Sequence, residues 1–147
     1  MSKVMEPYRG GNNMVVGITV NIGVADLRQT TRFMQSLGFE VDPMFAAEDE
    51  MELIHLGNQV YVMLNTESRF ESISRKPIAN SHEQAEAVFQ LRVGSRQDVD
   101  EIVDRALAAS ATPIHEPNDQ GFIYGRSFQD PDGHNWDCFW AAHTGTA

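Results

Sequence analysis

One cysteine, Cys138, is all that the 147-residue chain contains, so it cannot form an internal disulfide, a zinc knuckle or a CxxC redox pair. A reduced core thiol is the expectation. No apolar run approaches the roughly 20 residues needed to cross a bilayer. Residues 1–13, MSKVMEPYRGGNN, lack the apolar stretch of a signal peptide. The expected location is therefore the cytoplasm, with no membrane partner. Positive charge is scarce: 11 Lys and Arg face 21 Asp and Glu, for a formal net charge of -10, and no basic block offsets it. A chain of this sign repels polyanions, which excludes nucleic acid as the expected partner. The motifs of common chemistries are also missing. There is no GxSxG elbow, Walker loop or GxGxxG, and the five histidines, His55, His82, His115, His134 and His143, make no HxH, HxxxH or HExxH spacing.

What is present is a repeated order of elements. A composition of 41% hydrophobic and 22% charged residues suits one compact domain or two small fused modules. Residues 15–24 read as a strand. Asp26 then caps a helix in which Leu27, Thr30, Phe33, Met34 and Leu37 recur at helical spacing before Gly38 stops it. Strands are expected at 40–46, 51–56 and 59–65, the last two joined by a Gly57-Asn58 hairpin turn. After a polar stretch the series restarts with a strand at 85–93. Ser95 with Asp98 opens a second helix, whose Val99, Ile102, Val103, Ala106 and Leu107 form one stripe. Strands at 112–116, 122–129 and 135–141 complete it. The fold class is α+β, with two βαβββ modules, 15–65 and 85–141, joined by a linker at 66–84. Neither module can bury both faces of its sheet alone, so the two are expected to pack into a curved mixed sheet, a cup, with helices on its convex side. The ends, 1–13 and 143–147, are expected to be flexible arms.

Strand alternation separates two faces. Val16, Ile18, Val20, Ile22 and Val24 make an apolar face, and Thr19 and Asn21 point the other way. By the same parity the cup receives Tyr61, Met63 and Asn65, then Val88, Gln90 and Arg92, then Asp137 and Phe139. This mixture of aromatic, apolar and polar groups is a pocket's composition, although an amphipathic sheet facing water or a subunit would show it too. Tyr124, Arg126 and Phe128 share one face of the penultimate strand. Arg126 there pairs with Asp137, with an anionic ligand, or with a nearby acid, and the aromatics offer stacking surfaces. Cys138 has the parity of Trp136 and Trp140, which places it away from the cup.

The turn Asp130-Pro131-Asp132-Gly133, together with Asn21-Ile22-Gly23-Val24-Ala25-Asp26-Leu27, Leu37-Gly38-Phe39 and Tyr124-Gly125-Arg126-Ser127-Phe128 in their order and spacing, resembles the vicinal oxygen chelate superfamily of glyoxalases, extradiol dioxygenases, fosfomycin-modifying enzymes and bleomycin-binding resistance proteins. The resemblance spans most of 15–140 and implies one domain over 14–142. It also implies four metal-ligand positions, usually His or Gln, Glu, His and Glu, on the first, fourth, fifth and last strands of the paired modules. Here those positions hold Thr19, Met63, Val88 and Asp137. A Val and a Met are not ligands for a hard metal, and one carboxylate cannot supply the three or four N/O donors such sites require. No metal site is therefore expected.

The leading expectation is a metal-independent, small-molecule-binding homodimer, sequestering its ligand without a cofactor. Its expected ligand-binding residues are Thr19, Asn21, Tyr61, Met63, Val88, Gln90, Tyr124, Arg126, Phe128, Asp137 and Phe139. Two alternatives stay open. One is a glyoxalase- or dioxygenase-like enzyme that uses Asp137 catalytically, with a divalent metal in an atypical site. The other is a partner-binding module whose linker, carrying Phe70, Ile73 and Ile78, covers the cup. The histidines are expected at the surface.

Overall fold

The computed structural model describes residues 14–142. In the first module β1 (Ile18–Val24) leads into α1 (Leu27–Ser36), then β2 (Glu40–Asp42), β3 (Met51–Gly57) and β4 (Val60–Thr66). Helix α2 (Glu67–Ser74) opens the linker. The second module contains β5 (Val88–Arg92), α3 (Arg96–Ala108), the short β6 (Thr112–Pro113) and β7 (Asn118–Asp119), and the long β8 (Ile123–Gln129) and β9 (Asn135–Ala141). Each module forms its own sheet, in the orders β1-β4-β3-β2 and β5-β9-β8-β6, with β7 also on β8. Both are mixed. β1 runs parallel to β4 and β5 parallel to β9, and the other pairs are antiparallel.

Helices α1 and α3 form where the chain marks them. The Asp26 side chain accepts the Gln29 amide at the start of α1, and Ser95 does the same for the Asp98 amide at α3. Each cap satisfies one otherwise orphaned N–H. α1 ends at Gly38, whose φ of +98° a residue with a Cβ rarely adopts. The buried stripes Leu27, Phe33 and Met34 of α1 and Val99, Val103 and Ala106 of α3 enter one continuous core, with Ile22, Ile54, Val62 and Leu64 from the first sheet and Phe128, Trp136 and Cys138 from the second. Phe33 lies 6.2 Å from Phe128, centroid to centroid, which stitches the modules together.

Strand ends differ from expectation where no partner remains. The first strand begins at Ile18 rather than residue 15, because β4 begins at Val60 and offers nothing to pair with earlier residues. The expected 40–46 strand stops at Asp42, where Pro43, with no N–H to donate and a fixed φ, opens a 3-10 turn over Pro43–Phe45. The β3–β4 turn falls on Asn58-Gln59, one residue later than Gly57-Asn58, with a bulge between His55 and Gly57 and Gln59 at a φ of +61°. The expected arms 1–13 and 143–147 lie outside the described residues.

The Asp-Pro-Asp-Gly turn locks the modules. Asp130, 4% exposed, accepts the amides of Asp132 and His134 on one oxygen and the Trp136 indole N–H on the other, all at 2.9 Å. Asp132 reaches across to the first module, accepting the Ala25 amide at 3.1 Å and the Thr30 hydroxyl. Gly133 sits so close to the linker that a Cβ would meet the His82 nitrogen at 2.7 Å.

Candidate functional site

On the first sheet, the face turned away from the core is set by register: Thr19 lies beside Tyr61 and His55, and Asn21 beside Met63 and Leu53. Paired residues share a face. Asn65 anchors it. Fully buried, its amide donates to Asn21 Oδ1 at 3.1 Å, to the Ile22 carbonyl and to the Met63 carbonyl, while its oxygen accepts from Arg69 of α2 at 3.0 Å. His55, which sequence reasoning placed at the surface, is half-buried: its Nε2 lies 2.7 Å from Asp42, and its ring meets Tyr61 edge-on at 4.9 Å. A hydrogen bond from the Met44 amide, with His55 adding to it, holds the Asp42 carboxyl below its usual range.

The second sheet presents Val88, Gln90 and Arg92 of β5 on the same face as Asp137 and Phe139 of β9. Gln90 is Asp137's register partner and donates to it at 3.2 Å. Across the sheet on β8, Ser127 pairs with Asp137, and its hydroxyl lies 3.1 Å from His115 Nε2. Sequence reasoning missed Ser127 and His115. The available signal was the β8 register, since Ser127 is two residues before Gln129 in the phase that meets Asp137 and Asn135.

That register also corrects the placement of Tyr124, Arg126 and Phe128. They pair with Trp140, Cys138 and Trp136, and so lie on the opposite face from Asp137. Phe128 is wholly buried in the core. Arg126 pairs with Asp100 and Asp104 of α3, each at 2.9 Å, and the Tyr124 hydroxyl donates to Asp100. The Tyr124 bond, reinforced by Arg126 against the opposing effect of burial, holds the Asp100 carboxyl below its ordinary range. The same bond pushes the Tyr124 phenol up. Arg96 stacks over Tyr124 at 4.5 Å and pairs with Asp119. These residues attach α3 to β8. The sequence signal for this is Asp100 and Asp104, four apart on one helix face.

The four chelating positions do not fit a divalent metal. Thr19, Met63, Val88 and Asp137 offer one hydroxyl, one thioether, one hydrocarbon and one carboxylate, where three or four hard donors are needed. Among the described residues no group of three or more His, Cys, Asp or Glu side chains is placed to hold a metal ion. Nucleophilic chemistry has no better support: burial pushes the Cys138 thiol up to about 12, and its side chain faces the core. The two outward faces set acceptors (Asp137, Asn21), donors (Gln90, Tyr61) and apolar surface (Met63, Val88, Phe139) on rigid strands, with Ser127 buried beside Asp137.

The family model for the Glyoxalase/Bleomycin resistance protein/Dioxygenase superfamily matches residues 17–138, and the chain belongs to that superfamily. Among solved structures, a hypothetical protein from S. aureus superposes with a TM-score of 0.74 at 27% identity, covering 88% of this chain and 96% of that one. A glyoxalase/bleomycin resistance protein/dioxygenase family enzyme from Burkholderia phytofirmans PsJN gives 0.70 at 19% identity, over 84% and 96%. The genomically encoded fosfomycin resistance protein FosX from Listeria monocytogenes gives 0.59 at 19%, over 90% and 94%. No curated protein matches.

Proposed function

We propose that the chain is a metal-independent binding protein for a small organic molecule, held on the outward faces of the two sheets and sequestered there. One observation carries this reading. The four chelating positions hold Thr19, Met63, Val88 and a single carboxylate, Asp137, whereas the outward faces of the two sheets keep Asn21 and Tyr61 on one and Gln90, Asp137 and Phe139 on the other. The formal charge of -10 favours a cationic ligand. Support for a homodimer comes from the edge strands. β1 and β5 end their sheets, and Ile18 and Val88 on them are 58% and 52% exposed. A second copy would cover that apolar surface and close the cup.

The test is calorimetry against a panel of cationic aromatic compounds, with and without a chelator. Binding that survives the chelator and weakens at least tenfold in both Tyr61→Ala and Asp137→Asn supports the reading; binding only after metal is added refutes it. A second reading, an enzyme using Asp137 as base, draws on the Gln90 bond that orients its carboxylate and on the Ser127–His115 pair beside it. Turnover lost in Asp137→Ala with folding intact would establish that alternative.

A further inference from the structure

A cleft of about 180 Å³ opens between β1, α2 with the linker that follows, and the start of β5. Its walls are Val20, Ile22, Phe70, Ile78 and Phe89, with the turn residue His134 at one end. None of the expected cup residues except Asn21 lines it. The walls are held open by contacts that need no ligand. Gly23 lies directly under Ile78 and Phe70, Gly133 lies against the Ser81–His82 backbone, and the Ser81 hydroxyl donates to the Asp132 carbonyl at 2.9 Å. A cleft of this size with a mainly apolar wall has room for a benzene-sized ring, since a cavity of about 150 Å³ is enough to hold one. The acidic Glu86 at the lining disfavours an anion there.

His134 sets the polar requirement. Among the described residues its Nδ1 is the buried side-chain polar atom with no hydrogen-bond partner. It faces Asp130 Oδ2 at 3.6 Å, too far for a hydrogen bond but close enough for the carboxylate to favour one tautomer of the imidazole. A lone pair there would be repelled and an N–H attracted, so the neutral ring carries its proton on Nδ1. Nε2 is then an acceptor. It makes no hydrogen bond to the protein among the described residues and retains access to solvent, on a residue that lines the cleft. Asp130 cannot shift to relieve this arrangement, because three other bonds hold it.

We propose that this cleft is a binding site for a small neutral aromatic molecule carrying a hydrogen-bond donor, of the phenol or indole class, with its ring between Phe89 and Ile78 and its O–H or N–H donated to His134 Nε2. This site shares only Asn21 with the binding faces under Proposed function, and its experiment reads cleft residues outside those faces, so either can fail without the other.

The experiment is a titration of the full chain with phenol and with anisole, which has the same ring but no donor, followed by amide chemical shifts. Phenol is expected to saturate with a dissociation constant on the order of 0.1–1 mM, ordinary for seven non-hydrogen atoms. Shifts are expected at Gly23, Ala79 and Phe89, and phenol should bind roughly three- to tenfold more tightly than anisole. His134→Phe keeps the ring packing, removes the acceptor and also removes the orphaned Nδ1. It should fold, retain anisole binding and lose the preference for phenol. Ala87→Trp, which fills the cleft, should abolish binding of both. Equal affinities for phenol and anisole in the unsubstituted chain would overturn the role of His134. Shifts centred on Tyr61 and Asp137, or no saturation for either compound, would overturn the site.

Discussion

Replacing Asp130 by Ala removes the one side chain that organises the Asp-Pro-Asp-Gly turn. Its carboxylate is 4% exposed and accepts three hydrogen bonds at 2.9 Å, two from backbone amides and one from the Trp136 indole, which is itself 1% exposed. Bonds to an ionised acceptor are worth about 1.5–3 kcal/mol each, and a buried donor left without a partner costs about 1–3 kcal/mol. The two amides can turn partly to water, but the indole N–H cannot. The expected loss is therefore about 3–5 kcal/mol, or a fall of about 10–20 °C in Tm for a domain of this size. Asp130→Asn should recover little: whichever way its amide is oriented, an NH2 group faces either the indole N–H or the two backbone N–H groups. Urea unfolding followed by tryptophan fluorescence and by circular dichroism measures both variants. A loss below about 1 kcal/mol for Asp130→Ala would refute the reasoning, because it would mean that the turn is held by its Pro and Gly backbone alone.

Three further outcomes follow from the packing. Asp100 is held below its ordinary range in the folded protein, first by the Tyr124 hydroxyl. Its contribution is therefore complete above the unfolded value near 3.8 and is lost as pH falls through the lower folded value, so Tyr124→Phe should flatten the fall in stability below about pH 4 and leave neutral-pH ligand binding unchanged. Gly23→Ala would place a Cβ 2.4 Å from Ile78 Cδ1; it should cost about 1–3 kcal/mol, and Ile78→Ala in the same chain should recover most of that, as a double-mutant cycle would report. Cys138, buried with its thiol pushed up to about 12, should react with a thiol reagent at neutral pH only as fast as the protein opens, and a fast reaction in the native state would contradict its place in the core.

The elements that could be read from the chain are those with local causes. Asp26 and Ser95 cap helices through their own side chains, Gly38 ends one through its own φ, and the apolar stripes of α1 and α3 repeat at helical spacing. The phase of β8 had no local cause. Alternation separates Tyr124, Arg126 and Phe128 from Gly125 and Ser127, but an arginine and a tyrosine lie on the helix-facing side only because Asp100 and Asp104 wait on α3, more than twenty residues earlier. β9 was legible because Trp136, Cys138 and Trp140 announce a core face by themselves. Helix α2 has only a weak apolar stripe of its own, and its seat depends on the space left by Gly23 of β1 and on the Asn65–Arg69 bond. The candidate faces show the same division. Thr19, Asn21, Tyr61, Met63, Val88, Gln90, Asp137 and Phe139 fall on the outward side that alternation assigns them. Ser127, His115, His55 and Asp42 join those faces through register and loop closure, which no single strand encodes.

The central claim is that this member of the superfamily binds its ligand without a divalent metal, and titration of the chelator-treated full chain with zinc, nickel, manganese and iron(II) tests it most directly. The faces built from Thr19, Met63, Val88 and Asp137 predict no saturable one-to-one binding tighter than about 0.1 mM for any of the four, a weak interaction by the standards of a resident metal. One equivalent bound tightly, and lost in Asp137→Ala while the variant still unfolds cooperatively, would contradict it.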